Sequence, residues 1–165
     1  MKRSATVVAC LLSLSVLATV PSALAQADKL IGVWKTTEAK LPANPEQNLE
    51  GGTLANPQPE ITVFTQKHFI TVGVHSEEPR PDLPQNSTDA QLLEAWRPFT
   101  AQAGTYEVTG STITIHTMVT KSPNLMNRKA SRTRNYRFEG DVLILSYRPS
   151  SEWPAPIELK MIRLE

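Results

Sequence analysis

Three residues with chemical potential stand at alternate positions of one short stretch. In Ser131-Arg132-Thr133-Arg134-Asn135-Tyr136-Arg137-Phe138-Glu139, a strand would place Arg132, Arg134, Tyr136 and Phe138 on one face. Thr133, Asn135, Arg137 and Glu139 would form the opposite, wholly polar face. The aromatic face is the one a fold would bury, yet it carries two arginines. Arginine cannot shed its proton, and burying a lone guanidinium costs several kcal/mol, on the order of the penalty for any isolated buried ion. Three arrangements relieve that cost. The arginines can reach water where the strand leaves its loop, which suits Arg132 best. They can pair internally, with Glu107 or Asp141 as conceivable partners. Or they can line a wet cavity, where Arg134 and Tyr136 offer donors to an anionic ligand such as a carboxylate. Tyr106, which alternation puts opposite Glu107, completes the candidate ligand-binding set of Arg134, Tyr136, Arg132 and Tyr106.

The remaining reactive side chains form no recognisable machinery. His68 falls in a tight turn, His75 ends a strand, and His116 alternates with Thr114 and Met118, opposite Ile113 and Ile115. No histidine is spaced with Asp or Glu as a metal site. Glu60, Glu107 and Asp141 could serve as general acids, but nothing pairs them with a nucleophile. Ser76, Ser146 and Ser150 lack the strand-turn-helix setting of a nucleophile elbow. There is no Gly-rich phosphate loop, and nothing calls for a cofactor or metal.

These residues are carried by short segments of period-2 patterning. Candidate strands run over 30–39, 60–65, 69–75, 105–109, 112–120, 131–138, 142–147 and 157–164. Residues 88–101, "TDAQLLEAWRPFTA", have helical character. Thr88 or Ser87 can cap them, Leu92, Leu93 and Trp96 give an apolar stripe, and Pro98 ends or kinks the helix. Connections alternate in length. Three are tight turns, at Gln66-Lys67-His68, Gly110-Ser111 and Glu139-Gly140-Asp141, and the others are long. In an up-and-down meander this gathers the long loops at one end, a mouth, and the tight turns at the other. Eight strands suffice to close a barrel that can hold one small ligand. The expected fold is therefore mainly β: an eight-stranded antiparallel up-and-down barrel with one helix inserted between strands 3 and 4. Trp96 and Phe99 are expected to pack that helix on the barrel, and Trp153 lies in a mouth loop.

The N-terminus reads as a secretory leader. Lys2 and Arg3 precede an apolar run over 6–20, and Ala23-Leu24-Ala25 is a small-x-small cleavage site. Residues 1–25 are assigned to the leader and 26–165 to one domain, exported to the periplasm or beyond. The single cysteine, Cys10, lies in the leader, so disulfides do not hold the domain together. Without Lys2 and Arg3 the chain has one more acidic than basic side chain, a balance that favours neither nucleic acid nor a polybasic membrane contact. No membrane-spanning segment is expected after leader removal.

Gly32-Val33-Trp34 on the first strand resembles the Gly-x-Trp of lipocalins. "AGTYEVTGSTITIH" (103–116), "SPNLM" (122–126) and "FEGDVLIL" (138–145) resemble segments of the bacterial and fungal lipocalin-like domain family, over most of 30–165. Departures are the missing Thr-Asp-Tyr segment, the missing helix after the last strand and the missing cysteine pair. The resemblance implies a calycin-type barrel in which Trp34 plugs the closed end and a basic side chain from the last strand lies across its ring. Ile157, Leu159, Met161 and Arg163 alternate on that strand, which makes Arg163 the basic residue. Fatty-acid-binding proteins grip carboxylates with an Arg-x-Tyr pair on their last strand; the pair here stands elsewhere and shares only the chemistry.

The function these features favour is that of an exported protein binding a small hydrophobic molecule in the barrel, an acidic head group being compatible with Arg134. An isomerase or hydrolase on the same barrel is the second reading, and a module gripping another protein with its mouth loops the third.

Overall fold

The computed structural model describes residues 23–43, 51–55, 58–76, 78–80, 82–127, 131–147 and 155–165. Residues 1–22 of the expected 1–25 leader, and residues 148–154 of an expected mouth loop with Trp153, lie outside these. Along the described chain run α1 (Ala23–Leu30), β1 (Gly32–Leu41), β2 (Gly52–Ala55), β3 (Glu60–Phe64), β4 (His68–Val74), α2 (Asp89–Trp96), β5 (Phe99–Thr109), β6 (Thr112–Thr120), α3 (Pro123–Asn127), β7 (Arg132–Glu139), β8 (Val142–Tyr147) and β9 (Ile157–Arg163).

Each strand from β3 to β9 pairs antiparallel with the next, and β9 returns to pair with β1. β1 also pairs with β3, from Gly32↔Phe64 to Lys35↔Ile61. The circuit β1, β3–β9 is thus a closed eight-stranded barrel, as the meander pattern implies. β2 stands outside the circuit and extends the far end of β1, Glu38↔Ala55 to Leu41↔Gly52. The tight turns, the start of β1 and the end of β9 share one end of the barrel. The longer connections, which carry β2, α2 and α3, share the mouth.

The closed end is sealed by apolar side chains. Trp34, Phe69, Leu143 and Met161 are fully buried, with Phe64 and Ile115 nearly so. Each large apolar side chain so buried contributes about 1.5–3 kcal/mol. α1 lies beneath this plug. Its last residue, Leu30, is buried, and the Leu30 carbonyl accepts the Trp34 Nε1–H at 2.8 Å. Trp34 stands opposite Arg163 across the β1–β9 pairing, and the guanidinium lies 4.3 Å from the centre of the indole. The same guanidinium donates to the carbonyls of Lys29, Ile31 and Glu165. The first two are among the acceptors a helix C-terminus leaves without partners. Gly32 makes this possible. Its φ of 145° disfavours any side chain, and a Cβ there would run into Arg163 Nη1 and the Glu165 carbonyl. The Gly-x-Trp spacing is therefore a steric need: glycine clears the space that the cation over the tryptophan occupies.

Several local expectations are corrected. The helix expected over 88–101 stops at Trp96, and Phe99–Ala101 begin β5, paired with Val74, Gly73 and Val72. Pro98 contributes to the stop, and Lys121 Nζ takes the carbonyls of Trp96, Arg97 and Phe99 that a continuing helix would have used. Thr88, not Ser87, caps the helix, in a reciprocal capping box with Gln91. The Leu92, Leu93, Trp96 stripe is half exposed, and Ala95 is the buried residue of α2; Trp96 leans on Phe99 with ring centres 5.6 Å apart. The loops after the first strand and after Thr120 each hide a short element, β2 and α3. The described residues hold three helices rather than one.

Because Arg163 serves both the ring and the α1 carbonyls, Arg163→Ala is expected to lower stability by about 2 kcal/mol. Urea unfolding would measure this, and affinity for a ligand in the mouth half should change far less than stability does.

Candidate functional site

The mouth half of the interior differs from the sealed half. Alternation along Glu60-Ile61-Thr62-Val63-Phe64 turns Glu60 and Thr62 inward above Phe64. On β4, Thr71 lies inward above Phe69, and on β1 Thr36 lies inward above Trp34. These four polar residues are almost completely buried, Glu60 being 5% exposed. Thr62 and Thr71 share a hydroxyl–hydroxyl bond of 3.0 Å. Gly73 stands opposite Glu60, and a Cβ there would lie 2.6 Å from the Glu60 Cβ, so glycine gives the carboxylate its room.

Glu60 is the electrostatic centre of this region. Thr36 Oγ1 donates to its Oε1 at 2.9 Å, and His75 Nε2, at the end of β4, meets its Oε2 at 2.7 Å. A carboxylate that only accepts assigns the proton of that contact to His75 Nε2. Burial pushes the Glu60 pKa up. The hydrogen bond and charge of His75, the Thr36 hydroxyl and the positive field of Arg134 together outweigh burial and hold it below the usual value. Glu60 is therefore ionised at neutral pH.

Arg134, 3% exposed, faces into the same space from β7. Its guanidinium lies 4.2 Å from the centre of the Tyr147 ring, the residue directly across the β7–β8 pairing. Burial raises the Tyr147 pKa, as does Glu60, while Arg134 and Arg132 pull it down less strongly. Arg132 is half-buried at the rim. Its Nη2 donates to Gln102 Oε1 at 2.7 Å and to Thr117 Oγ1 at 3.4 Å. It spans the place where β6 and β7 part, since their pairing ends at Ile115↔Arg132 while β6 runs on to Thr120. Tyr136, 3% exposed, packs edge-on against Phe138 with ring centres 6.0 Å apart. Its hydroxyl is buried and has no hydrogen-bond partner among the described residues. Burial raises its pKa, so it remains a neutral O–H.

The structure therefore turns both Arg134 and Tyr136 into the barrel from β7, Arg134 onto Tyr147 and Tyr136 onto Phe138, and sets Arg132 at its rim. Tyr106 is turned to the closed end. Its ring meets Phe64 edge-on, and its hydroxyl donates to the Thr65 carbonyl at 2.5 Å. Neither conceivable ion partner of the arginines lies inside. Glu107 is exposed beside His116, and Asp141 is exposed beside Lys29. Glu60 is the interior carboxylate, and the same alternation that turns Phe64 inward identifies it. Among the described residues no group of three or more His, Cys, Asp and Glu could hold a metal ion.

No protein-family model matches the chain, and no curated protein does. Among solved structures it is similar to a lipocalin-like protein from Bacteroides uniformis, at 13% identity and a TM-score of 0.45, over 82% of this chain and 99% of that one. It is also similar to an uncharacterized protein from Bacteroides eggerthii, at 10% identity and a TM-score of 0.43, over 81% and 98% of the respective chains. The closed eight-stranded circuit, with Trp34 under Arg163, is what makes the architecture lipocalin-like.

A carboxylate whose pKa is depressed on folding adds stability above its unfolded value, near 4.5, and that stability is lost as pH falls through the lower folded value. Glu60→Gln removes this contribution. The stability gap between wild type and variant should be widest near neutral pH and shrink below about pH 4.5, as urea midpoints at each pH would show; a gap constant with pH would contradict an ionised Glu60.

Proposed function

We propose that this is an exported binding protein that holds a small, mainly apolar molecule in the mouth half of its barrel, with the polar end of that molecule directed at Tyr136 and Arg134. The observation that carries this reading is the Tyr136 hydroxyl, buried on the same inward face of β7 as Arg134 and without a partner among the described residues. An unsatisfied buried hydroxyl costs about 1–3 kcal/mol, and a phenylalanine would fill the same space without that cost. A bound acceptor makes the hydroxyl useful. The inner wall supports the reading as well: Thr36, Thr62 and Thr71 on one side face Tyr147 and Leu145 on strands across the barrel. Such a mixture of apolar lining and few polar anchors suits a small-molecule site. Arg132 stands at the rim, where the pairing of β6 with β7 ends, and donates to Gln102.

Export rests on the leader. Its cleavage after Ala25 would cut within α1 and leave Gln26–Leu30 to underlie Trp34. N-terminal analysis of protein recovered outside the cytoplasm tests it, and a retained Met1 would refute it.

The ligand reading separates from a merely structural one through Tyr136→Phe. The variant is expected to be as stable as the wild type or more stable, by up to about 2 kcal/mol. It is expected to bind the methyl ester of cis-parinaric acid, a fluorescent apolar probe, about five- to tenfold more weakly, the worth of one hydrogen bond. Weaker stability with unchanged binding would assign the hydroxyl to the fold. Native mass spectrometry of the purified wild type should show a retained small molecule.

A further inference from the structure

We infer that Glu60 sets the charge of the molecule the barrel accepts, admitting an uncharged head group with a hydrogen-bond acceptor, such as an ester, ketone or amide, and turning away a carboxylate. The inference rests on the binding reading above and specifies its ligand class.

The arginines alone suggest the opposite. Arg134 beside Tyr136 has the look of an anion cradle. The interior, however, already holds an anion. Glu60 is buried on β3, and every hydrogen-bond partner it has among the described residues is a donor, the Thr36 hydroxyl and the His75 Nε2–H. These contacts, with the positive field of Arg134, hold the Glu60 pKa below the usual carboxylate value, so the group is ionised at neutral pH. Arg134, equally buried, lies within its field, with the Tyr147 ring under the guanidinium feeling both charges. A carboxylate entering this space would bring a second negative charge into a low-dielectric region that already holds the Glu60 anion. Rejection through a like charge is a common source of specificity. The donor left over is the neutral Tyr136 O–H, which needs an acceptor and no charge. An ester or ketone oxygen meets that need without disturbing the Glu60–Arg134 balance. The groups that face the site are thus Glu60 with Thr36 and His75 from β1, β3 and the end of β4, Arg134 and Tyr136 from β7, and Tyr147 from β8.

The test compares cis-parinaric acid with its methyl ester at mildly alkaline pH, where the free acid is ionised. By fluorescence titration the wild type should bind the ester at least about tenfold more tightly than the acid, as expected for one unanswered charge in a partly buried site. Glu60→Gln should strengthen acid binding about tenfold, leave the ester within about twofold, and so close or invert the ratio. Arg134→Gln, which leaves Glu60 as the main interior charge, should widen it. Equal wild-type affinity for acid and ester, or a ratio unmoved by Glu60→Gln, overturns the inference while leaving a binding barrel. Failure of the wild type to bind either probe overturns the binding reading and takes this one with it. Should Glu60→Gln fail to fold, the wild-type ratio and the Arg134→Gln shift decide the matter.

Discussion

The register between β1 and β9 governs the whole structure. A meander of eight strands becomes a barrel only when its first and last strands pair, and closure removes both free edges. Here that pairing sets Trp34 directly opposite Arg163. One guanidinium then covers the indole and gathers carbonyls from the end of α1 and from the chain's last residue. A slip of one residue would reverse the facing of every β9 side chain and break this junction. Inside, it would replace Leu159 and Met161 by Glu158, Lys160 and Ile162. The seal at the base and the lining of the interior are thus two consequences of a single register.

With the base sealed, the interior divides by depth. Below, aromatic and aliphatic side chains fill the space, and the hydroxyl of Tyr106 is taken by a backbone carbonyl. Above, threonines, a carboxylate and a guanidinium face one another. The outer surface divides too. Arg137 pairs with Glu139 and Glu158, and Lys160 with Glu38, along β7, β9 and β1. On β3 and β4 the outward residues Ile61, Ile70 and Val72 are aliphatic and half exposed. Away from the irregularities in β1 and β5, alternation is the same on every strand of the barrel; what changes is which kind of residue it delivers to each face.

Alternation was also what made most of the fold legible. It located the strands from 60 to 75 and from 112 to 164 closely, because their periods are unbroken. It placed Arg134 and Tyr136 on one inward face, and it kept His116 outside. It faltered where the backbone departs from period two. In β1 a bulge between Thr36 and Glu38 resets the facing, so that Glu38 turns out to Lys160 at 2.7 Å while Ala39 turns in. β5 begins six residues early because "RPFTA" carries helix-compatible residues, and only pairing with β4 and the reach of Lys121 from β6 make it a strand. Both are long-range effects that no local pattern encodes. Of the site, the arginines were visible as an anomaly. Their counter-charge is not marked in the sequence: Glu60 shares a face with Phe64, but only closure of the barrel brings β3 and β7 around one interior.

The buried charges are the part of the interior that folding alone explains least. An ion pair taken out of water seldom adds net stability, and apolar residues of similar volume often do as well or better in its place. A barrel that needed only to fold would gain from leucine at 134 and phenylalanine at 136, continuing the lining that Leu143, Leu145 and Leu159 already provide. Instead Glu60 is given two donors and a facing glycine, and Arg134 is given a ring to stack on. These supports hold the charges at fixed positions inside the barrel. Tyr136 is the exception: among the buried side-chain groups described here, its hydroxyl alone has no hydrogen-bond partner, and nothing in the packing of its ring against Phe138 requires that hydroxyl.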